Sequence, residues 1–321
     1  MKLRILSGLV LLAASVFAQQ TPSRLNRFQA FQGMTKQQAL DTVAQTTKVP
    51  KLSYAENYFV LPQVADGTQA GQGVWTTEFH IVNLDPAHTA SFELDFYNAN
   101  GTPATFLIAG PTFEVSSISG TLNPGEMATY VTAGLPKTVQ TGWAALNVNT
   151  TGAYVSAYET INLYNPAENY LSSVAGPSDF GVDGYNNQPG TYLPFDNTNG
   201  AVTTAAFANP DFANVYSANT LQIEFIDMKG VVFDTETYTV APGTQTAVVI
   251  ANQWPKTANL SGTMYILPYN PATGTTPATA AMYPPFSPIT ILALQGRYSQ
   301  NAAGFFHSLA YVPLLTLGSY L

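Results

Sequence analysis

The chain holds three histidines and no cysteine, so a reaction centre would have few parts to draw on. Nucleophilic hydrolysis needs a Ser or Cys held against a His that an acid orients. No Gly-x-Ser-x-Gly elbow occurs; His80 lies mid-strand between Phe79 and Ile81, His88 follows Asp85-Pro86 in a turn, and His307 opens the last strand. All three read as strand or turn histidines. No two share a helix face or the close spacing of a zinc site, and thiolate metal ligation is excluded outright. No cofactor signature is present, so the catalytic, cofactor and metal sets are expected to be empty.

Oxygen chemistry offers weaker leads. Asp179, Asp183, Asn186 and Asn187 cluster mid-chain, as do Asp196, Asn197 and Asn199. Calcium at such joints stiffens some extracellular arrays, but neither run has the Asp-x-Asp-x-Asp-Gly pattern, and Asp and Asn before Gly are ordinary turn formers. Glycoside hydrolysis needs two facing carboxylates. Glu78, Glu93, Asp95, Glu159, Glu224 and Glu236 are available without a pair defined by spacing, and they are taken as structural. Sugar binding by aromatic stacking is the better lead. Trp143 starts a strand, and Trp254 stands where the first repeat has Leu135, the mark of a plug at the end of a module. Trp75, beside the Gly71–Gly73 loop, is the one speculative ligand-binding residue, with polysaccharide as its ligand class.

The elements that must position these residues follow from patterning. Lys2 and Arg4 precede an apolar run from Ile5 to Val16, ending in Val16-Phe17-Ala18, which predicts a signal peptide at 1–18 cleaved after Ala18 and a secreted or cell-surface protein. An arm at 19–55 follows, with a short helix from Thr35 to Thr46 begun by a Thr35/Gln38 capping box. Its five basic residues against Asp41 alone raise the expectation that it docks on the acidic remainder. Only 9% of the chain is charged, with a net charge of −8. An acidic body repels nucleic acid, and no apolar segment is long enough for a spanning helix.

A repeat organises the rest. Leu61-Pro62, Asp66-Gly67, Thr76-Thr77 and Asn83 recur as Leu193-Pro194, Asn199-Gly200, Thr203-Thr204 and Asn209. Phe92, Leu94, Phe96, Asn98 and Gly101 recur without a gap as Leu221, Ile223, Phe225, Asp227 and Gly230. Pro124-Gly125, Leu135-Pro136-Lys137 and Gly142 match Pro242-Gly243, Trp254-Pro255-Lys256 and Gly262. Within each copy apolar residues alternate with polar ones, the period of a half-buried antiparallel strand. Strands are predicted near 58–62, 76–83, 91–97, 112–118, 127–132, 142–149, 154–163 and 170–175, with counterparts in the second copy. The fold class is therefore all-β, two tandem antiparallel β-sandwich domains at 56–178 and 190–321, rather than an outer-membrane barrel, whose strands would be longer. Gly176 to Gly190 reads as a linker and Pro268 to Pro288 as an exposed insertion.

On these turns and strands, Tyr58 to about Leu317 resembles the tandem immunoglobulin-like or fibronectin-type sandwiches of secreted bacterial proteins of unassigned function. The resemblance implies the fold; with no catalytic arrangement in the sequence, the expected function is a non-enzymatic spacer or adhesion-type module with surface proteins or polysaccharide as partners. A carbohydrate-binding protein and a secreted hydrolase are the alternatives.

Overall fold

The computed structural model describes residues 58–70, 73–109, 114–150, 155–165, 170–177, 191–212, 219–269, 289–298, 306–312 and 315–316. All belong to one compact unit, Ser53–Leu321. The expected signal peptide, the Thr35–Thr46 helix, the Asp179–Asn187 cluster and nearly all of the Pro268–Pro288 stretch lie outside the described residues.

Antiparallel strands dominate. The first half contains β1 (Tyr58–Gln69), β2 (Gly73–Asn83), β3 (Ala90–Asn98), β4 (Phe106–Leu107), β5 (Glu114–Val115), β6 (Ser117–Leu122), β7 (Met127–Val131), β8 (Gln140–Val148), β9 (Val155–Asn165) and β10 (Tyr170–Pro177). The second contains β11 (Thr191–Asp196), β12 (Ala201–Ala208), β13 (Thr220–Asp227), β14 (Val232–Thr239), β15 (Gln245–Val249), a short helix α1 (Ile250–Gln253), a 3-10 turn (Pro255–Thr257), β16 (Ser261–Tyr269), β17 (Thr290–Tyr298), β18 (Phe306–Val312) and β19 (Leu315–Thr316).

The halves share a pairing plan. The β1–β8, β3–β8, β3–β6, β2–β9, β2–β7 and β9–β10 ladders recur as β11–β16, β13–β16, β13–β14, β12–β17, β12–β15 and β17–β18. Alternation gives each half its core. Ala90, Phe92, Leu94 and Phe96 point inward from β3, and Leu221, Ile223 and Phe225 from β13. They meet Phe79 and Ile81 of β2, or Phe207 of β12, from the opposite layer. Gly142 and Gly262 hold equivalent places for one reason: a Cβ there would lie 2.1 Å from the Tyr97 carbonyl or 2.2 Å from that of Ile226.

Several expectations shift. The strand expected at 112–118 is two pieces, β5 and β6. β1 runs further than expected and changes partner, pairing with β8 up to Asp66 and with β2 from Gly67. The repeat also aligns one residue differently at the second strand. Thr77 Oγ1 accepts the Ala65 N–H at 2.8 Å and donates to the Ala65 carbonyl at 3.0 Å; Thr203 makes the same two bonds with Asp196, at 2.9 and 3.1 Å. Thr77 therefore matches Thr203, although 12 residues separate Thr77 from the residue it bonds and 7 separate Thr203 from its own, because β1 continues past Ala65 to Gln69 whereas β11 ends at Asp196.

The halves press on each other. Ala205 and Phe207 of β12 enter the second core, whereas Ala208 packs with Val60, Trp143 and Ala145, and Ala206 with Ile161 and Leu292. Coverage of both faces explains why Gly142–Leu146 and Ala205–Ala208 are continuously buried rather than alternating. Two repeated turns meet at this joint. The Gly101 turn of the first half abuts the Pro242-Gly243 turn of the second, and Gln245 N–H donates to the Ala99 carbonyl at 2.8 Å.

Gly101 has φ +82°, and a Cβ on it would lie 2.3 Å from the Gly243 carbonyl oxygen; Gly230, its repeat mate, has φ +81° and open space. Gly230→Ala thus reports the backbone cost alone, roughly 1–2 kcal/mol. Gly101→Ala is expected to lose more, measured as a larger fall in the urea midpoint; equal losses would show that the joint adds no constraint there.

Candidate functional site

Each half is sealed by a buried asparagine at the end of its second strand, Asn83 as the last residue of β2 and Asn209 just after β12. Asn83 Nδ2 donates to the carbonyls of His88 (2.8 Å) and Leu122 (3.1 Å), while its Oδ1 accepts the Asp85 N–H at 3.0 Å. Asn209 Nδ2 donates to the Val240 carbonyl and to Asn219 Oδ1, both at 2.8 Å, and its Oδ1 accepts the Asp211 N–H at 3.1 Å. These side chains tie the end of β2 or β12 to the residue before the Pro-Gly turn. Their motif was legible as turn chemistry and is structural.

The histidines divide similarly. His88 is mostly exposed and lies 3.0 Å from Asp85 Oδ1, which also accepts the Ala87 and His88 N–H groups. Burial would raise the Asp85 carboxyl, but those donors and the imidazole outweigh it and hold it below the usual range. His80 stacks on Tyr158 at 4.4 Å and lies 3.2 Å from Thr129 Oγ1 and 3.4 Å from Glu78 Oε2. An acid, an imidazole and a hydroxyl are thus in line. They are cross-strand neighbours, however, since His80 is paired directly with Thr129 on β7 and Tyr158 on β9, facing away from the core that takes Phe79 and Ile81. The arrangement is that of cross-strand side-chain pairs. His307 lies on β18.

Asp196 and Asn197 are engaged in hydrogen bonds, and Asn199 is exposed at a turn position with φ +50°. Asp196 Oδ1 accepts the Thr198 N–H and hydroxyl at 2.9 and 2.7 Å, and Asn197 links to Thr203 and Thr257. Among the described residues no three His, Cys, Asp or Glu side chains converge as a metal site. Nor is any described helix long and apolar enough to cross a membrane.

The tryptophans have three environments. Trp75 is half-buried, donates its indole N–H to Gln69 Oε1 at 2.9 Å and packs against Ile161, Ala206 and Leu292. Trp143 is fully buried in the joint, stacked with Tyr97 at 4.6 Å and Phe212 at 5.5 Å, its N–H without a hydrogen bond. Trp254 is 5% exposed and sits 5.5 Å from Phe225, a plug as expected. Its repeat mate is not one. Leu135 is 69% exposed, because Phe106, from the connection after β3, occupies the corresponding place 5.5 Å from Phe96.

Two features escaped sequence reasoning. Glu159 is fully buried between Ala157 and Ile161 on the inward face of β9, and neither carboxyl oxygen makes a hydrogen bond. Burial pushes its proton affinity well up, offset in small part by the nearby Gln63 backbone N–H, which is not placed to form a hydrogen bond. Its signal was present: the alternation Val155, Ala157, Glu159, Ile161 sets it on the apolar face. The second feature is the margin of the second half. There a recess of about 200 Å³ opens between β14 and the 3-10 turn, lined by Asp234, Glu236, Thr237, Gln253, Trp254 and Lys256. Lys256 Nζ lies 2.6 Å from Asp234 Oδ1. Beside it the β13–β14 hairpin exposes Met228 (78%), Val231 (57%) and Val232 (48%).

This margin is the candidate binding site, since it joins apolar surface, charge and a terminal strand. Comparison of the chain with known protein families, curated proteins and solved structures found no match.

Two outcomes test the buried polar groups. Asn83→Ala removes the bonds to the His88 and Leu122 carbonyls and from the Asp85 N–H, and is expected to cost about 1–3 kcal/mol in denaturant unfolding, with Asn209→Ala costing a similar amount. Folded Glu159 holds its proton more tightly than the unfolded chain does. Stability from this group is therefore full below the ordinary carboxylate range and declines as pH rises toward the raised folded value. Glu159→Gln should remove that decline and be the more stable form at pH 8; parallel pH profiles for the two proteins would contradict it.

Proposed function

We propose that this chain is a secreted or surface-attached, non-enzymatic protein in which two tandem immunoglobulin-like or fibronectin-type β-sandwiches act together as a rigid spacer and interaction module. The observation that carries the reading is the joint. A spacer that must hold a fixed reach gains from halves that cannot swing, and here Trp143, Phe212, Ala206 and Ala208 sit in apolar contacts spanning both halves. Relative motion would expose that surface, at about 25 cal/mol for each Å².

The placement of the titratable groups also supports it. His80 and His88 lie within strand and turn hydrogen-bond networks. Glu159 has no exposure through which to reach a substrate. The aromatic residue expected to serve a sugar, Trp75, is braced by Gln69 and apolar neighbours, which lends the carbohydrate alternative less support than the interaction reading.

Fractionating a producing culture into medium, envelope and cytosol, followed by pull-down with the exported chain, tests the proposal. Export together with capture of a surface component is the expected outcome. Retention in the cytosol, or turnover of a hydrolase substrate panel that His80→Ala abolishes, would overturn it.

A further inference from the structure

β14 is the terminal strand of its sheet, bonded only to β13 among the described residues. None of its residues is buried, and Val232–Thr239 contains neither proline nor glycine nor lysine. Its counterpart β6 is shorter and contains Gly120. A terminal strand of this length presents a row of free backbone donors and acceptors, which proteins usually blunt by shortening, proline, lysine or inward-pointing charge. Here inward-pointing charge is joined by a register shift at Phe233, and the strand runs without further interruption from Asp234 to Thr239. Asp234 and Glu236 stand opposite Phe225 and Ile223 of β13, so they lie on the core side of the edge, while Glu224 on β13 stands opposite Thr235 on the other face.

These carboxylates select the occupant. If a second copy of β14 paired antiparallel with this one, registers centred on the strand would bring Asp234 and Glu236 against each other or against themselves, which is repulsive. A strand bearing cations at alternate positions would meet the Asp234 and Glu236 face of β14 directly. Lys256 already pairs with Asp234 at 2.6 Å, which leaves Glu236 as the carboxylate on this face without an ion pair at salt-bridge distance, and Lys229 lies in the hairpin turn. Met228, Val231 and Val232 add apolar surface where the docked segment would enter or leave.

We propose that β14 is a strand-addition site for an extended, basic segment of a partner protein, which pairs its backbone with Val232–Thr239 and places Lys or Arg over Glu236, beside the Lys256–Asp234 pair. Strand addition of this kind takes affinity from main-chain bonds and selectivity from alternate side chains. The assignment rests on the interaction-module reading and specifies where and with what chemistry it operates.

The test uses the full chain and two eight-residue capped peptides, one alternating Lys and Val, the other Glu and Val. Binding is followed by calorimetry and by amide hydrogen exchange. The Lys peptide is expected to bind and to slow exchange within 232–239, the Glu peptide to do neither, and D234N/E236Q to weaken the Lys peptide about tenfold with loss of most salt dependence. The pair Glu93→Gln and Asp95→Asn, which removes carboxylates from β3, should leave binding unchanged and controls for bulk charge. Protection elsewhere, equal binding of both peptides, an equal effect of the β3 pair, or peptide-free dimers whose protection maps to β14 would each overturn the proposal. Absence of peptide binding while a surface component is still captured by the unmodified chain would sink the edge assignment and spare the interaction-module reading.

Discussion

Everything in this fold depends on closing strand ends with uncharged side chains. The chain has no cysteine to cross-link and few ions to pair, so the backbone groups left over where β2 and β12 end must be met by amides and hydroxyls. Asn83 and Asn209 do this by reaching the carbonyl before each Pro-Gly turn, while Thr77 and Thr203, inside β2 and β12, bond both polar groups of one residue on the neighbouring strand. A buried carbonyl without such a partner costs about 1–3 kcal/mol. With the ends fixed, alternation along the strands builds the two cores.

The joint and the margin of the second half stand in contrast. At the joint, small residues let the layers approach closely, and Phe212 fills the gap between the Tyr97/Trp143 stack and Gly243. At the margin, β14 keeps its backbone edge open under two carboxylates. One side of the second half is therefore devoted to holding the first, and another remains available for contacts outside the chain.

The sequence was most legible where a local rule governs. Period-two patterning located most strands, because one buried face forces alternation. The Gly101 and Gly230 turns were legible because positive φ favours glycine. Legibility failed where a residue serves two masters. Gly142–Leu146 and Ala205–Ala208 face a core on one side and the other half on the opposite side, so their patterning carries no period, and the joint had no local signature. Glu159 shows the reverse case: its position in the alternation implied burial, but its charge argued for solvent, and the fold followed the alternation. The candidate margin was invisible because Glu236 and Lys256 acquire their relationship only when the connection after β15 folds back against β14.

Phe106 and Trp254 reach equivalent core phenylalanines from different connections, one following β3 and the other following β15. The halves are thus similar in ladder and unlike in closure. Transplanting the 250–258 connection into the first half would set an indole and a phenyl ring in one volume, and the reverse exchange would leave a hole. Duplication of a common blueprint has here produced parts that no longer substitute for each other, and the order of the halves along the chain has become a fixed property of the molecule.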